Sequence, residues 1–347
     1  MKLLSLNCRG LGNPETVQEL QSLVTLEVPQ VVFVMETRLD VRSIEWLKIK
    51  LGLQGALGVD RARFGGGLAL LWSNDVSVKI LSYSPSHIDA EILPTEGSNW
   101  RFTGFYGNPD HHRRMESWDL LRKLGNESLL PWMICGDFNE IVDNGEKLGM
   151  RSRPQNQMRS FREALSDCRL EDLGYQGPKF TWCNMQSNEG VVFARLDRGV
   201  CTREWLQLFP SAKVRICPFV LSDHHAVIVD CLRTAPNPTQ RKHQFRFEAM
   251  WIKRENCEEV IRSAWDHPQQ GTKMYCLSQK IKACRMALIQ WSKQGIFSLP
   301  RKIKALKATL SDIDTSIQEH WQDTARLVER NGIRKELNQL ISQEEIY

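Results

Sequence analysis

The 347-residue sequence contains no Cys-x-x-Cys pair, although it holds ten cysteines. That spacing argues against a thiol redox motif or a cysteine-rich zinc site. Several of the cysteines sit inside apolar runs and read as reduced thiols packed as small hydrophobes. No apolar stretch approaches the roughly 20 residues a membrane helix needs. The opening "MKLLSLN" breaks at Asn7, far short of a secretion signal, so an intracellular protein is expected. Also missing are a Gly-rich loop followed by Lys-Ser/Thr, a Gly-x-Ser-x-Gly elbow and a His-Glu-x-x-His pair. Their absence argues against the nucleotide-binding, serine-hydrolase and zinc-protease arrangements that depend on them.

What is present is a globular composition with an uneven charge. Residues 1–232 carry 26 Lys+Arg against 28 Asp+Glu, whereas residues 233–347 carry 20 against 13. The net charge of +5 therefore belongs to the last third. Such a segment suits an anionic partner, with nucleic acid the commonest, although a solvated helical surface gives the same count.

The hydrophobic patterning changes at the same place. Up to about Asp230, short β-rich runs such as "KLLSLNC", "QVVFVME", "WMICGD" and "HAVIVDC" alternate with helical patterns near residues 14–27, 112–125 and 155–167. Pro14 suits a first helical turn. The runs at 30–36 and 132–137 are nearly continuous apolar segments, as expected of strands covered on both faces, and 67–107 reads as a hairpin meander. These features predict a four-layer α/β sandwich: two mixed β-sheets packed face to face, helices outside, and an α-helical C-terminal extension. The breakers in "APNPT" end the β pattern, which places a domain at 1–232, a linker at 233–247 and a basic helical extension at 248–347. The last residues, "LISQEEIY", stop in mid-pattern, so the chain is expected to have continued or to pack on something else.

Polar residues recur where apolar strands end. Asn7, Glu36, Tyr106 and Asp137 close strands, and Asn139 follows in "GDFN". Strand ends are where sites assemble in α/β sheets. Singly, each has a plain alternative: a solvated first residue after a strand, or an Asx-turn at Asp137. Asp223 and His224 join a carboxylate to an imidazole at the start of the last strand, the parts needed for cation binding and proton transfer. Strand alternation sends His224 and His225 to opposite faces, so only one enters a site. Asp197 lies between two arginines in "RLDR"; it could be a surface ion-pair cluster, or it could meet His224 and orient the ring. Carboxylates and amides with one histidine select a hard cation, Mg²⁺ or Mn²⁺, and imply attack of water on phosphorus.

The ordered motifs "SLNCRGLGN", "VVFVMETRL", "GFYGNP", "ICGDFNEI", "FTWCN", "ARLDRGV" and "SDHHAV" resemble the endonuclease/exonuclease/phosphatase superfamily of DNase I-like and exonuclease III-like enzymes. The resemblance is closest to the endonuclease domains of plant LINE-type non-LTR retrotransposons. It implies Mg²⁺, with Mn²⁺ as a substitute, on Glu36 helped by Asn7 and Asp223. It also implies Tyr106 and Asn139 on the scissile phosphate, Asp137 beside the attacking water or leaving oxygen, and His224 paired with Asp197. Which of Asp137 and His224 takes the proton stays open. Thr181 and Ser222 match positions lining a DNA groove. His225 stands where relatives more often carry Cys or a small residue, and a buried cation there would cost stability.

The implied activity is nicking of DNA in the nucleus, with RNA a further partner for the extension. The extension resembles the helical linker that precedes a reverse transcriptase, but no polymerase motif is present. Abasic-site or exonuclease III-like repair activity is the nearest alternative. A phosphomonoesterase reading is disfavoured by "RLDR". A non-catalytic, transposon-derived nucleic-acid-binding remnant is the reading of a different class.

Overall fold

Two runs of apolar β residues decide the architecture. "VVFVM" at Val31–Met35 and "WMICGD" at Trp132–Asp137 are buried along their whole length, and each lies inside a six-stranded sheet. In this computed structural model, which describes residues 1–60, 66–149, 151–184, 190–231, 256–268, 270–295, 298–320 and 324–345, the first sheet follows an order unlike the sequence. It runs Lys213–Cys217, Ala226–Asp230, Lys2–Asn7, Val31–Met35, Leu68–Trp72, Gly55–Val59. The second runs Glu171–Asp172, Asp197–Cys201, Trp132–Asp137, Trp100–Tyr106, His87–Pro94, Val76–Ser84. Each sheet has one parallel pair, Lys2–Asn7 with Val31–Met35 and Trp100–Tyr106 with Trp132–Asp137, among antiparallel neighbours. The linker expected at 233–247 lies outside the described residues.

The inner faces of the sheets form one core. Phe33, Met35 and Leu70 from the first meet Ile88, Trp100, Phe102 and Met133 from the second. Gly104 lets the layers close, because a Cβ there would sit 2.4 Å from the Phe33 ring. On the outer face of the first sheet lie the helices Pro14–Glu27 and Val41–Leu51, which supply Val17, Leu20, Ile44 and Leu47. The second sheet is covered by Arg114–Gly125 and Gln155–Asp167 through Trp118, Leu121 and Phe161. The expected four-layer sandwich is what the chain forms, and the first helix begins at Pro14 with Asn13 accepting from the Glu15 amide.

The meander differs from expectation. Leu68–Trp72 pairs with Val31–Met35 in the first sheet, and only Val76–Tyr106 forms hairpins in the second. The reason is visible in burial: "LALLW" is covered on both faces as an inner strand must be, whereas Val76–Ser84, after a buried Val76, alternates exposed and half-buried along an edge. The strand Asp197–Cys201 has almost no apolar pattern, yet all five residues are buried, with Val200 and Cys201 packed in the cores and Arg198 paired with Glu146 and Asp172. A small three-stranded sheet joins Lys147–Leu148, Phe193–Ala194 and Trp182–Cys183.

The chain divides into two compact units, one of Met1–Thr234 with Ala308–Asn338, the other of Ala235–Lys307 with Gln339–Tyr347. In the first unit, Ile313, Ile317 and Leu327 of the helices Ser298–His320 and Thr324–Glu345 pack on Phe180, Cys183 and Phe193 of the sandwich. In the second, Cys257 packs on Leu288, joining the helices Cys257–Trp265 and Lys273–Gly295. Among the described residues no helix is long and apolar enough to cross a membrane.

Candidate active site

The mixed topology brings the polar strand ends together. Asn7, Tyr106 and Asp137 close strands running one way, and Glu36 follows Met35. The strands that begin at Asp197 and just after His225 run antiparallel to these, so their starts lie at the same end of the sandwich. Asp197 stands directly opposite Asp137, which stands opposite Tyr106.

Asn7 is the hub. Its fully buried amide Nδ2 donates to Glu36 Oε1 at 3.0 Å and to Asp137 Oδ2 at 3.1 Å, and lies 3.4 Å from His224 Nε2. Tyr106 donates its hydroxyl to Glu36 Oε1 at 3.0 Å. His224 Nδ1 is 2.8 Å from Asp197 Oδ2, which leaves Nε2 facing Asp137 Oδ2 at 3.7 Å. Asn139 donates its backbone N–H to Asp137 Oδ1 and its side-chain amide to the Gly107 carbonyl. Gly107 is obligatory there, since a Cβ would fall 2.2 Å from the Phe138 carbonyl oxygen.

Asp197 meets His224, and the flanking arginines go elsewhere. Arg195 and Arg198 bind Glu146 and Asp172 in a separate buried network. Asp137 and His224 both carry displaced pKa values. Burial and the nearby Asp197 raise Asp137 to about 7. Burial works against the charged form of His224, but Asp197, Asp137 and Asp223 outweigh it and raise the ring to about 10. Burial and Glu36 push the Tyr106 hydroxyl upward, so it stays a protonated donor.

Thr181 and Ser222, expected to line a DNA groove, are both buried in the structure. Thr181 is fully buried, and its hydroxyl oxygen accepts from the Leu196 and Asp197 amides at 3.0 and 2.9 Å. Ser222 is buried and donates to the Asn7 carbonyl while accepting from the His224 amide. Both hydroxyls satisfy buried backbone groups in the segments that carry Asp197 and His224. His225 lies on the opposite side from the site, as alternation requires, and binds Asp314.

Two arginines join the site that strand-end reasoning had not singled out. Arg9 pairs with Asp223, whose Oδ2 also accepts from Trp182 Nε1 at 2.8 Å, and Arg38 lies 3.7 Å from Glu36 Oε2. A signal was available: each follows a strand-end polar residue by two positions, Asn7-x-Arg9 and Glu36-x-Arg38. Both arginines, Glu36 and Asn139 have φ between 51° and 55°, a conformation that non-glycine residues seldom adopt and that clusters at functional sites. Beside them opens a cavity of about 370 Å³ bordered by Glu36, Asp223 and His224 and by the cations Arg9, Arg114, Lys147 and Arg153.

The donor chemistry fits a hard divalent cation. Every ligand candidate except His224 offers oxygen, and among the described residues Glu36 Oε2 has only Arg38 within ion-pair reach. Asp137, Asp197 and His224 also place ligand atoms within 4.8 Å of one another, but Asp197 and Nδ1 are already committed to each other. Among the described residues the other grouping of this kind, Asp110 with His111 and His112, is exposed.

Residues 4–224 match the model of the family described as the endonuclease/exonuclease/phosphatase family. Among solved structures, the chain is similar to the AP endonuclease LMAP from Leishmania major, with a TM-score of 0.53 and 16% identity over 66% of this chain and 86% of that one. An AP endonuclease from Archaeoglobus fulgidus gives 0.51 and 13% over 66% and 98%. The endonuclease domain of TRAS1, a telomere-specific non-LTR retrotransposon, gives 0.48 and 16% over 66% and 97%. At these identities the likeness is one of fold.

Proposed function

The chain belongs to the endonuclease/exonuclease/phosphatase family, and from that premise we propose that it is a phosphodiesterase dependent on a divalent cation, nicking DNA as a retrotransposon-type endonuclease does. The observation that carries this reading is the convergence of Glu36, Asp137 and His224 on the Asn7 amide, beside a cavity that Glu36 and His224 border together with cationic side chains. Acidic groups suit a hard cation, and arginine and lysine suit phosphate.

In this reading Glu36 and Asp223 would hold Mg²⁺ or Mn²⁺ through carboxylate oxygens, helped by the Asn7 amide oxygen. The ion supplies positive charge against the phosphate oxygens and acidifies water. His224, raised to about 10, is an imidazolium at neutral pH and donates from Nε2 to a phosphate oxygen. Asp197 fixes the ring through Nδ1. Asp137, raised to about 7, is matched to neutral pH as the acceptor of the proton from the attacking water. Tyr106 and Asn139 flank this position as phosphate contacts. The basic extension adds affinity for nucleic acid, DNA or RNA, and the working compartment is the nucleus.

The test is plasmid nicking with Mg²⁺ and with EDTA, on the wild type, Glu36→Ala and His224→Ala. Cation-dependent conversion of supercoiled to open-circular DNA is expected from the wild type only. Equal wild-type and variant rates would sink the enzyme reading. Cutting restricted to abasic duplexes would favour the repair alternative.

A further inference from the structure

The stretch Val220–Ser222, which leads into Asp223 and His224, is gripped from two sides by residues far away in sequence. On the N–H side, the buried carboxylate of Glu19, in the first helix, accepts from the Val220 amide at 3.0 and 3.1 Å and from the Leu221 amide at 2.9 Å. On the C=O side, Arg334 Nη2, in the last helix, donates to the Val220 carbonyl at 2.6 Å and to the Ser222 carbonyl at 2.8 Å. Arg334 is 4% exposed, so its charge is withdrawn from water to make these two bonds.

The same helical segment grips the residue after the site. Asp314 Oδ2 is 3.1 Å from His225 Nε2, and its other oxygen accepts from Arg330 Nε at 2.5 Å. The Arg330 guanidinium lies 5.2 Å from the Phe193 ring centroid. Phe193 belongs to the small sheet, whose Trp182 donates to Asp223 and forms a bridge with His224. Thus the segment 308–338 touches the loop before Asp223, the residue after His224, and the sheet that supports both.

We propose that Ala308–Asn338 is a positioning element of the active site, with Arg334 as a positioning residue that sets how Asp223 and His224 are presented. The proposal rests on the nuclease reading for its kinetic consequence, but not for the loop geometry. A segment serving only as a solvated basic linker would have no reason to bury Asp314, Arg330 and Arg334 against the sandwich, since desolvating charge is costly without a specific partner. Both bonds leave one nitrogen, Nη2, and a guanidinium suits the task because it is planar and more weakly hydrated than an ammonium, so burying it costs less.

The test uses the full chain carrying Arg334→Ala and Arg334→Lys. Amide hydrogen exchange is read at residues 220–225 and, as an internal control, at Phe102 and Ile134 in the second sheet. Exchange at the loop is expected to rise at least 10-fold in Arg334→Ala and less in Arg334→Lys, with the control amides unchanged. Nicking should lose about 10- to 100-fold in kcat with KM within about twofold, and Lys should recover part of it. Should Arg334→Ala fail to fold, Arg334→Lys carries both measurements. Unchanged loop exchange in a folded variant overturns the proposal, as does a loss confined to KM. A wild type inactive with every divalent cation would defeat the nuclease reading alone, and the exchange measurement would still decide the clamp.

Discussion

His225 Nε2 lies 3.1 Å from Asp314 Oδ2, joining the residue beside the candidate catalytic histidine to one 89 positions later. His225 looked like a cost, a polar ring on an apolar strand. It is the anchor for a helical segment instead, and Arg330 on the same carboxylate completes the buried set.

Removing Asp314 should therefore be expensive. Asp314→Ala leaves Arg330 buried without its counterion and His225 Nε2 without its partner, and is expected to lower unfolding free energy by about 3–5 kcal/mol. Replacing His225, Asp314 and Arg330 together by apolar residues of similar volume should cost much less. Urea denaturation of the two variants decides it. Equal losses would mean that the charges contribute no more than their packing.

The same carboxylate gives a pH dependence. Burial would raise Asp314, but Arg330 and His225 outweigh it and draw it from 3.8 to about 2. A carboxylate depressed on folding stabilises fully above its unfolded value and loses that contribution as pH falls through the folded one. The window is therefore about 3.8 down to about 2, worth about 2 kcal/mol. Asp314→Asn should flatten this part of the acid-denaturation profile. An unchanged slope would argue against the ion pair.

Catalysis should follow the two displaced groups in the site. With Asp137 near 7 and His224 near 10, the nicking rate should rise as pH passes through about 7 and fall as it passes through about 10. Asp137→Asn should remove the acidic limb and lower kcat by about 100-fold or more. A rate that climbs through pH 10 without falling would show that the neutral ring is the working form.

Arg9 and Asp223 make a prediction about the cation. Arg9→Ala removes a positive charge from a candidate metal ligand, so less Mg²⁺ should be needed for half-maximal activity, by a few-fold, while KM for DNA rises. Activity titrated against Mg²⁺ at fixed DNA measures the first, and substrate titration the second. A higher Mg²⁺ requirement would mean that Arg9 orients Asp223 rather than competing with the ion.

Gly107 is expected to tolerate no side chain. Gly107→Ala places Cβ against the Phe138 backbone rather than a movable side chain, and should destabilise by at least about 2 kcal/mol while displacing Asn139, which binds the Gly107 carbonyl. Thermal melting and nicking should fall together. A normally stable, fully active variant would refute the close approach.

The sandwich is legible in the residues themselves, and so are the strand ends where polar side chains collect. Continuous apolar runs marked the inner strands Val31–Met35 and Trp132–Asp137, and Pro14 marked the first helix. Asn7, Glu36, Tyr106 and Asp137 stand at strand ends and His224 just before the last strand, positions that can be read along the chain. These features are local, and a period of two or of 3.6 residues records which face is covered. It does not record what covers it. Only the tertiary structure decided that Asp197 serves His224 while Arg195 and Arg198 serve Glu146, and that Leu68–Trp72 leaves the meander for the other sheet. The same holds for Thr181 and Ser222, whose hydroxyls satisfy buried backbone, and for the basic extension, where Arg330 and Arg334 face inward. Each depends on contacts between residues distant in sequence, and such contacts leave no periodic trace along the chain.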